Sequence, residues 1–291
     1  MSILIDQNTR LLVQGITGRE GQFHTARMLE YGTNVVGGVT PGKGGLSVHG
    51  VPVFDTVAEA VRATGADASV LFVPPRLTLD AIFEALDAGI KTVITIAEGV
   101  PVKDMLQVYH YTKNLPDVHV IGPNSFGVIS PGKAKAGFMA HEIYSPGPVG
   151  LMSRSATNSY ETVLGLTRRG IGQSTCVGVG GDSIPGTSFV DLLPLFEADE
   201  ETKAVVLIGE IGGADEEIAA EYIRNHMTKP VVAYIAGRNA PKGKKMGHAG
   251  AIVGASGVGS AQSKIEALAA AGAYIAESPD HIGELLEKIL S

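Results

Sequence analysis

The sequence predicts an α/β protein made of two doubly wound domains in tandem, and three observations carry that prediction. Short β-branched runs alternate with amphipathic segments up to residue 121, and the alternation restarts at residue 149. A stretch rich in glycine and proline, residues 131–148, separates the two halves and is typical of a domain boundary. The chain has 291 residues, which is enough for two domains of ordinary size.

The first half contains five predicted strands with helices between them. The strands are expected at 11–14, 34–39, 68–73, 92–96 and 118–121, and the helices at 21–31, 57–63, 79–88 and 105–114. Strands that alternate with helices form parallel sheets, and the right-handed crossover preference makes this sheet Rossmann-like. We therefore expect a Rossmann-like domain over residues 1–130.

The second half repeats this alternation. The strands are expected at 149–153, 174–179, 204–209 and 231–235, and the helices at 159–169, 216–226, 265–271 and 282–290. With a linker over 131–148, this pattern predicts a second doubly wound domain over residues 149–291.

Composition argues against several classes of protein. The formal net charge is −7, so a nucleic acid is not expected as a partner. The single cysteine, Cys176, excludes an intramolecular disulfide and a cysteine-rich metal site, and its apolar surroundings predict an inert, buried thiol. The N-terminus lacks the pattern of a signal peptide, and no apolar run reaches the roughly 18 to 20 residues of a membrane span, so we expect a cytoplasmic protein without membrane contacts.

A glycine-rich turn, Gly15-Ile-Thr-Gly18-Arg-Glu-Gly21, follows the first predicted strand. Glycines at this place let backbone amides approach an anion at the N-terminus of the next helix, which predicts a phosphate-binding turn. The spacing differs from the usual dinucleotide fingerprint, and a tight strand-to-helix turn without any ligand would explain the same residues.

The segment after the second strand indicates which ligand is expected. A site for NAD would place an acidic residue there, but no carboxylate occurs between Tyr31 and Asp55. Lys43 lies there instead, in a glycine-rich loop, and suits a phosphomonoester on a ribose, as in coenzyme A or NADP. Residues 37–43 fit most of a triphosphate-binding pattern, but Gly44 replaces the Ser or Thr that holds magnesium, so we reject such a site.

His248 is the candidate nucleophile of the second half. Lys242, Lys244 and Lys245 precede it, and its neighbours along the chain are glycine and alanine. A solvated basic loop with an incidental histidine is one interpretation. The other is an imidazole that accepts a phosphoryl group and so splits one difficult transfer into two easier ones.

A phosphorylated histidine needs groups that stabilise the anion and a partner for its second ring nitrogen. Three loops that follow predicted strands could supply them, at residues 153–157, 180–186 and 208–213. The last contains Glu210, which lies between apolar residues and glycines. In a parallel sheet such loops emerge at the carboxyl edge, where these folds bind ligands.

Four of these stretches together resemble the α subunit of succinate–CoA ligase, over essentially the whole chain. They are residues 15–18, 37–45, 208–213 and 240–251. The resemblance implies an N-terminal Rossmann-like domain that binds coenzyme A, followed by a flavodoxin-like domain that bears a phosphohistidine.

The resemblance also implies roles for individual residues. His248 would be the phosphorylated residue, and Glu210 would orient it. The residues expected to contact coenzyme A are Thr17, Gly18, Arg19, Glu20, Lys43, Ile96, Ala97 and Glu98. Those expected near the acid substrate and the phosphate are Asn124, Ser125, Phe126, Ser155, Ala156, Asn158 and Tyr160.

In such enzymes a β subunit of the ATP-grasp type holds ATP or GTP with Mg²⁺, in a heterodimer or an α2β2 heterotetramer. The resemblance therefore implies a ligase that makes an acyl-CoA from an acid, coenzyme A and a nucleoside triphosphate, through an acyl phosphate and phospho-His248. No metal ligand is expected on this chain itself.

Two departures from the family pattern leave the acid open. Ser125 and Phe126 stand where the family has Cys and Pro, and Ala156 and Asn158 alter a Ser-Arg-Ser-Gly-Thr stretch. A site built around the polar groups of its substrate discriminates strongly, so succinate, malate and citrate remain candidates. An extra hydroxyl or carboxylate on the acid could be bound by Asn158 or Ser159. A non-catalytic regulatory module that binds coenzyme A or NADP is the alternative from another class, and His248 together with Glu210 argues against it.

Overall fold

The computed structural model describes residues 2–241, 243–254 and 259–291, and the chain divides into two compact units. We call the unit that comprises residues 4–141 and 184–186 the N-terminal unit. The C-terminal unit comprises the chain up to Ile3, Glu142–Ser183 and Thr187–Ser291. Lys242 of the predicted basic loop lies outside the described residues.

The N-terminal unit is built on a mostly parallel sheet. Its strands are β1 Leu11–Gln14, β2 Val35–Val39, β3 Ser47–Val48, β4 Val51–Phe54, β5 Ala68–Leu71, β6 Thr92–Thr95 and β7 His119–Ile121, and an antiparallel pair follows, β8 Gly127–Ser130 and β9 Ala134–Gly137. The sheet order is β3-β4-β2-β1-β5-β6-β7, and only the β3–β4 pair is antiparallel. Without β3 this is the strand order of a Rossmann fold.

Four helices cover this sheet and supply its core. They are α1 Arg19–Glu30, α2 Val57–Thr64, α3 Thr78–Asp87 and α4 Val102–Thr112. Every residue of β1, β5 and β6 is buried, as expected for parallel strands covered on both faces. Helix α2 shows how the sequence sets the bounds: the Thr56 hydroxyl accepts from the Glu59 amide, and Gly65 ends the helix at φ 66°.

The C-terminal unit contains five parallel strands. They are β10 Pro146–Ser153, β11 Gln173–Gly178, β12 Ala204–Glu210, β13 Val231–Ala236 and β14 Tyr274–Ile275. They run in the order β11-β10-β12-β13-β14, which is the strand order of flavodoxin. The chain leaves β10 towards β11 and then crosses to β12 on the other side. This topological switch creates a crevice at the carboxyl ends of β10 and β12, where open α/β sheets bind ligands.

The helices of the C-terminal unit are α5 Ala156–Arg168, α6 Phe189–Ala198, α7 Asp215–His226, α8 Ala261–Ala270 and α9 Pro279–Leu290. Serines at 155, 260 and 278 cap α5, α8 and α9 by accepting from backbone amides of the first turn. Across the described parts of the chain, none of the helices combines the length and the apolar character that a membrane span needs.

The predicted fold class, two doubly wound α/β domains, is confirmed. Helix α6 was not predicted, because Pro194 lies inside it and interrupts the helical pattern. The stretch 131–148, predicted as a linker, contains β9 and the first residues of β10. Gly132, at φ 76°, forms the turn between β8 and β9, so this glycine serves a hairpin. The bounds 1–130 and 149–291 stay a prediction.

Cys176 provides a simple check of the C-terminal core. It lies in β11, is fully buried, and burial raises the pKa of its thiol well above the usual range. We expect no reaction with a disulfide reagent in the native chain at pH 8, and one thiol per chain after unfolding in guanidinium chloride. A thiol that titrates in the native chain at the rate of free cysteine would contradict this packing.

Candidate active site and coenzyme-binding loops

His248 lies near the tip of a narrow hairpin. Lys245 and Ile252 form an antiparallel bridge, and the Met246 amide donates to the Ala251 carbonyl at 2.9 Å. At the turn, the Ala251 amide donates to the carbonyl of His248 at 3.2 Å. The hairpin presents the imidazole with about a third of its surface exposed.

The imidazole contacts a buried carboxylate. Nδ1 of His248 lies 2.7 Å from Oε2 of Glu210, the last residue of β12, which is 7% exposed. An ionised carboxylate only accepts hydrogen bonds, so the proton of a neutral imidazole lies on Nδ1 and the lone pair on Nε2. A lone pair on Nε2 makes that nitrogen the nucleophile. The predicted pairing of His248 with Glu210 is therefore present in the geometry.

Two glycines form the seat beneath the hairpin tip. A Cβ at Gly181 would lie 2.5 Å from Cγ of His248, and the Gly181 carbonyl accepts from the Gly250 amide at 3.1 Å. A Cβ at Gly212 would lie 1.9 Å from the Gly250 carbonyl oxygen, and Gly212 has φ 98°. Side chains at either position would push the hairpin away from Glu210. Both glycine turns are recognisable in the sequence, but this steric role depends on contacts between distant segments and has no local signal.

The serine turn after β10 opens helix α5. The Ser155 hydroxyl accepts from the Asn158 amide at 3.3 Å, and the Ser159 hydroxyl donates to the Ser155 carbonyl at 2.6 Å. Ala156, Asn158 and Tyr160 are half-buried on the first turns of the same helix. Backbone amides and a helix N-terminus make this turn able to hold an anion, as the sequence predicted.

Tyr160 keeps its proton at any physiological pH. Burial raises the pKa of its phenol to about 12. The hydroxyl is therefore a hydrogen-bond donor, which suits a position beside a carboxylate or a phosphate.

The glycine turn of the N-terminal unit joins β1 to α1. A Cβ at Gly15 would lie 2.4 Å from the Phe72 carbonyl oxygen, and one at Gly21 would lie 2.2 Å from the Gly15 carbonyl oxygen. Close packing therefore explains both glycines without a ligand. Gly18 differs, because it is exposed and is the N-cap of α1 without a side-chain cap. It leaves the helix N-terminus open to an anion.

A cavity of about 470 Å³ adjoins this turn. It lies where the strand order reverses, between the ends of β1, β2 and β5. Its walls include Thr17, Gly18, Thr40, Pro41, Phe72 and Val73. A mostly apolar cavity with a few hydroxyl groups at a topological switch point is typical of a site for a nucleoside.

The remaining predicted contacts of coenzyme A surround the same edge of the sheet. Arg19 and Glu20 are exposed in the first turn of α1. Lys43 is exposed in a loop that is fixed by the Gly44 amide, which donates to Oδ1 of Asp55 at 2.8 Å. Residues 96–98 follow β6, and the Ala97 carbonyl accepts from the Asn124 amide at 2.9 Å.

Two residues predicted near the acid substrate lie inside the N-terminal unit. Phe126 is 2% exposed and Ser125 is 1% exposed. The Ser125 hydroxyl accepts from the Gly127 amide at 2.9 Å. Neither side chain therefore presents an open surface, and their role at the acid stays a prediction.

The fold and these sites define the class of protein: a coenzyme A-binding Rossmann domain joined to a flavodoxin-like ligase domain. A family model for the CoA binding domain matches residues 6–99, and one for CoA-ligase matches residues 152–274. The chain is 57% identical to the succinate–CoA ligase [ADP-forming] subunit alpha 2 of Archaeoglobus fulgidus, over all of both chains. The chain belongs to the family of succinate–CoA ligase α subunits. Enzymes of this family are acid–thiol ligases, which join an acid to a thiol as a thioester.

Two further relatives bear on the acid. The chain is 52% identical to the malate–CoA ligase subunit alpha of Methylorubrum extorquens, over 100% of this chain and 99% of the relative. Among solved structures, ATP citrate lyase from Methanothrix soehngenii in complex with citrate and coenzyme A superposes with a TM-score of 0.89 at 29% identity. The match covers 99% of this chain, which spans only 50% of that chain.

Proposed function

We propose that this chain binds coenzyme A and carries a phosphoryl group on His248 within an NDP-forming acid–CoA ligase. The observation that carries the proposal is the contact of 2.7 Å between Nδ1 of His248 and the buried Glu210 carboxylate. That contact directs the lone pair of Nε2 away from Glu210 and towards a reacting phosphorus atom.

Three transfers make up the proposed reaction. Nε2 attacks the γ-phosphorus of the nucleotide, and the bond to the β-phosphate oxygen breaks to release NDP. A carboxylate oxygen of the acid then attacks the phosphorus of phospho-His248, which gives an acyl phosphate and regenerates the imidazole. Finally the thiolate of coenzyme A attacks the acyl carbon and expels phosphate. The two phosphoryl transfers each involve an imidazole oriented by the same carboxylate.

Glu210 has a second task in this sequence. Phosphorylation at Nε2 leaves a proton on Nδ1 and a positive charge on the ring, which the carboxylate stabilises. The N-terminus of α5, with the Ser155 turn, provides dipoles that stabilise the negative phosphate. Tyr160, as a donor on the same helix, suits the acid or the phosphate.

The nucleotide requires a partner in this proposal. This sequence has no complete triphosphate-binding loop, and Gly44 occupies the magnesium-binding position of its nearest match. We therefore expect ATP or GTP with Mg²⁺ on a β subunit of the ATP-grasp type. The relatives named as α subunits support a two-subunit enzyme.

Succinate is the leading acid, with malate and citrate as the alternatives. Archaeoglobus and Methylorubrum relatives at 57% and 52% identity carry different acids in their names, so overall identity does not decide between them. Asn158 is half-buried on the first turn of α5, and it is the side chain that we propose to contact an added hydroxyl.

The test uses the chain purified with its partner subunit. After incubation with γ-labelled ATP or GTP, we expect a label on this chain that survives alkali and is lost in acid, as a phosphohistidine is. The enzyme is then supplied with coenzyme A and succinate, malate or citrate, and release of NDP and phosphate is followed. A chain that never becomes labelled, with an active partner, would refute the proposal.

Lys43 permits a specific test of coenzyme A binding. The proposal places the 3′-phosphate of coenzyme A at the Lys43 loop, so Lys43→Ala removes a charge-assisted contact with that phosphate. We expect affinity for coenzyme A to fall roughly 10-fold or more, while affinity for dephospho-coenzyme A stays at the wild-type value. Calorimetric titration of both ligands measures this.

The matched control for that experiment is Lys91→Ala. Lys91 is exposed and precedes β6, so it lies at the opposite edge of the sheet from Lys43. Its loss is expected to leave both affinities unchanged. Equal losses for the two ligands in Lys43→Ala would show that Lys43 does not read the 3′-phosphate.

A further inference from the structure

A cluster of charged side chains, three of them buried, lies next to the His248 site, at the carboxyl edge of the C-terminal sheet. Its members are Arg154, Asp215, Glu216, Glu217 and Lys264. The side chains of Glu216 and Lys264 are fully buried, and that of Arg154 is 5% exposed. Burial raises the pKa of the Glu216 carboxyl, and the charges of Arg154 and Lys264 oppose that shift. Burying charged groups costs desolvation free energy on folding, so stability alone does not explain why this cluster is present. We therefore ask what it contributes to the nearby site.

Arg154 connects three segments. It follows β10, and its Nη1 donates to the Asp182 carbonyl at 3.2 Å, in the loop after β11. Its Nη2 forms an ion pair with Asp215, the first residue of α7. Its Nε lies 3.5 Å from Oε1 of Glu216, which is an ion pair without a hydrogen bond.

Glu216 extends the connection to Glu210. Oε1 of Glu216 accepts from the Glu210 amide at 3.1 Å, and its Oε2 pairs with the ammonium group of Lys264. A Cβ at Gly209 would lie 2.6 Å from the same Oε1, so the carboxylate passes directly against this strand. Lys264 also donates to the Gly213 carbonyl at 3.2 Å. Both ends of the Glu210 loop are thereby fixed.

The cluster therefore fixes the Gly181–Asp182 loop and Glu210, which are the two groups that contact the imidazole. Gly181, which lies beneath the ring, is the neighbour of Asp182, and Glu210 contacts Nδ1. A guanidinium group has a planar set of donors that can bond a carbonyl and a carboxylate at once, which the single ammonium group of a lysine does less well. A shift of about 1 Å at a reacting group can cost roughly 100-fold in rate.

We propose that Arg154 is a positioning residue for His248, acting through Asp182 and Glu216 on the two sides of the imidazole seat. The inference rests on the proposed phosphorylation of His248, and it adds a buried residue whose polar contacts are with Asp182, Asp215 and Glu216. Arg154 acts on the reaction by setting the geometry of the His248–Glu210 pair.

Two substitutions at this site separate charge from shape. Arg154→Met removes the charge and keeps most of the length, and Arg154→Lys keeps the charge without the planar donor set. The matched control is Arg169→Met, at the other end of α5. Arg169 also bridges two carboxylates, Asp280 and Glu287, each at 3.1 Å, and both lie on α9.

The first measurement needs no nucleotide. In the full chain labelled with ¹⁵N-histidine, the Nδ1 proton of His248 gives a downfield resonance when it is held by Glu210. We expect this resonance to broaden or vanish in Arg154→Met and to persist in Arg169→Met. Glu210→Gln supplies the reference spectrum for a lost carboxylate contact.

The second measurement is the rate of His248 phosphorylation in a single turnover with the partner subunit and saturating nucleotide. We expect a fall of roughly 10- to 100-fold in Arg154→Met, a smaller fall in Arg154→Lys, and none in Arg169→Met. The nucleotide concentration at half-maximal rate should not change, since the Arg154 side chain is 5% exposed and the proposal assigns it no contact with the nucleotide.

Folded Arg154→Met with a wild-type resonance and rate would overturn the inference, as would equal losses in Arg169→Met. If Arg154→Met does not fold, Asp215→Asn provides a milder change, because Asp215 is 26% exposed and anchors only one side of the guanidinium group. It should shift the same resonance, and an unchanged spectrum would count against the inference. If the wild-type chain is never phosphorylated, the proposed function fails, while the resonance still tests the positioning role.

Discussion

The His248→Asn chain is expected to carry no acid-labile phosphate and to form no acyl-CoA with its partner subunit. An asparagine keeps a hydrogen-bonding group beside Glu210 but has no nitrogen lone pair that can attack phosphorus. Loss of a covalent nucleophile typically costs about four orders of magnitude or more. The label should therefore fall below detection, while binding of coenzyme A to the N-terminal unit stays at its wild-type value.

The control for this result is His226→Asn. His226 is exposed at the end of α7 in the same unit, so the substitution removes an imidazole at a distance from the candidate site. The His226→Asn chain should be labelled at the wild-type rate. Labelling of His248→Asn to the wild-type extent, with a label that is lost in acid, would place the phosphate elsewhere and remove the basis of the proposed reaction.

The sequence predicted the fold well, because the signals involved are local. The bounds of β1 were predicted correctly, and Gly65, Ser155 and Ser278 are ordinary caps at helix ends. The strands β3, β4, β8, β9 and β14 were not predicted. Strands β3 and β14 have two residues each, and runs of that length carry no periodic pattern. The predicted fold class does not depend on these strands, because the remaining strands and helices still alternate.

The candidate site was only partly accessible from the sequence. The local pattern around His248 allowed a basic loop as readily as a nucleophile, and Glu210 was assigned to it through the family resemblance. Glu210 and His248 are 38 positions apart in the sequence, and they come together because β12 and the hairpin meet at the carboxyl edge. Arg154 and Lys264 were missed for the same reason: the pairs that they form with Glu216 span 62 and 48 positions, and no local pattern reports such pairs.

The residues predicted to determine which acid is used differ in their exposure. Ser125 and Phe126 suggested a reshaped pocket, but both are buried and the Ser125 hydroxyl is used by the backbone of Gly127. Buried side chains of this kind act on a neighbouring site through the packing of the loop that contains them. Asn158 is different, because its side chain is half-buried at the start of α5 and can contact a ligand directly. We therefore propose Asn158 as the residue to substitute when discrimination among succinate, malate and citrate is measured.

Gly181→Ala is expected to reduce phosphorylation of His248 by roughly 100-fold while leaving the fold intact. Gly181 is not among the glycines with positive φ, so alanine is compatible with its backbone. The added Cβ would instead lie 2.5 Å from Cγ and 2.7 Å from Nδ1 of His248. The imidazole belongs to an exposed hairpin and can move, whereas Gly181 lies in the buried loop after β11 next to Asp182, whose carbonyl is held by Arg154, so the ring should leave Glu210. Thermal stability should change little, because the displaced imidazole is about a third exposed and can move towards solvent.

Gly165→Ala is the matched control for this substitution, since a Cβ at Gly165 in helix α5 would meet nothing within 4 Å. Alanine there adds the same methyl group and favours the helix by about 1 kcal/mol, so labelling should be unchanged and the melting temperature equal or higher.

The Nδ1 proton resonance of His248 should be lost in Gly181→Ala and kept in Gly165→Ala. A Gly181→Ala chain that is labelled at the wild-type rate would show that the ring tolerates displacement, and that the contact with Glu210 does not govern the transfer. Reduced labelling with an unchanged resonance would instead assign the effect of the methyl group to the approach of the phosphate.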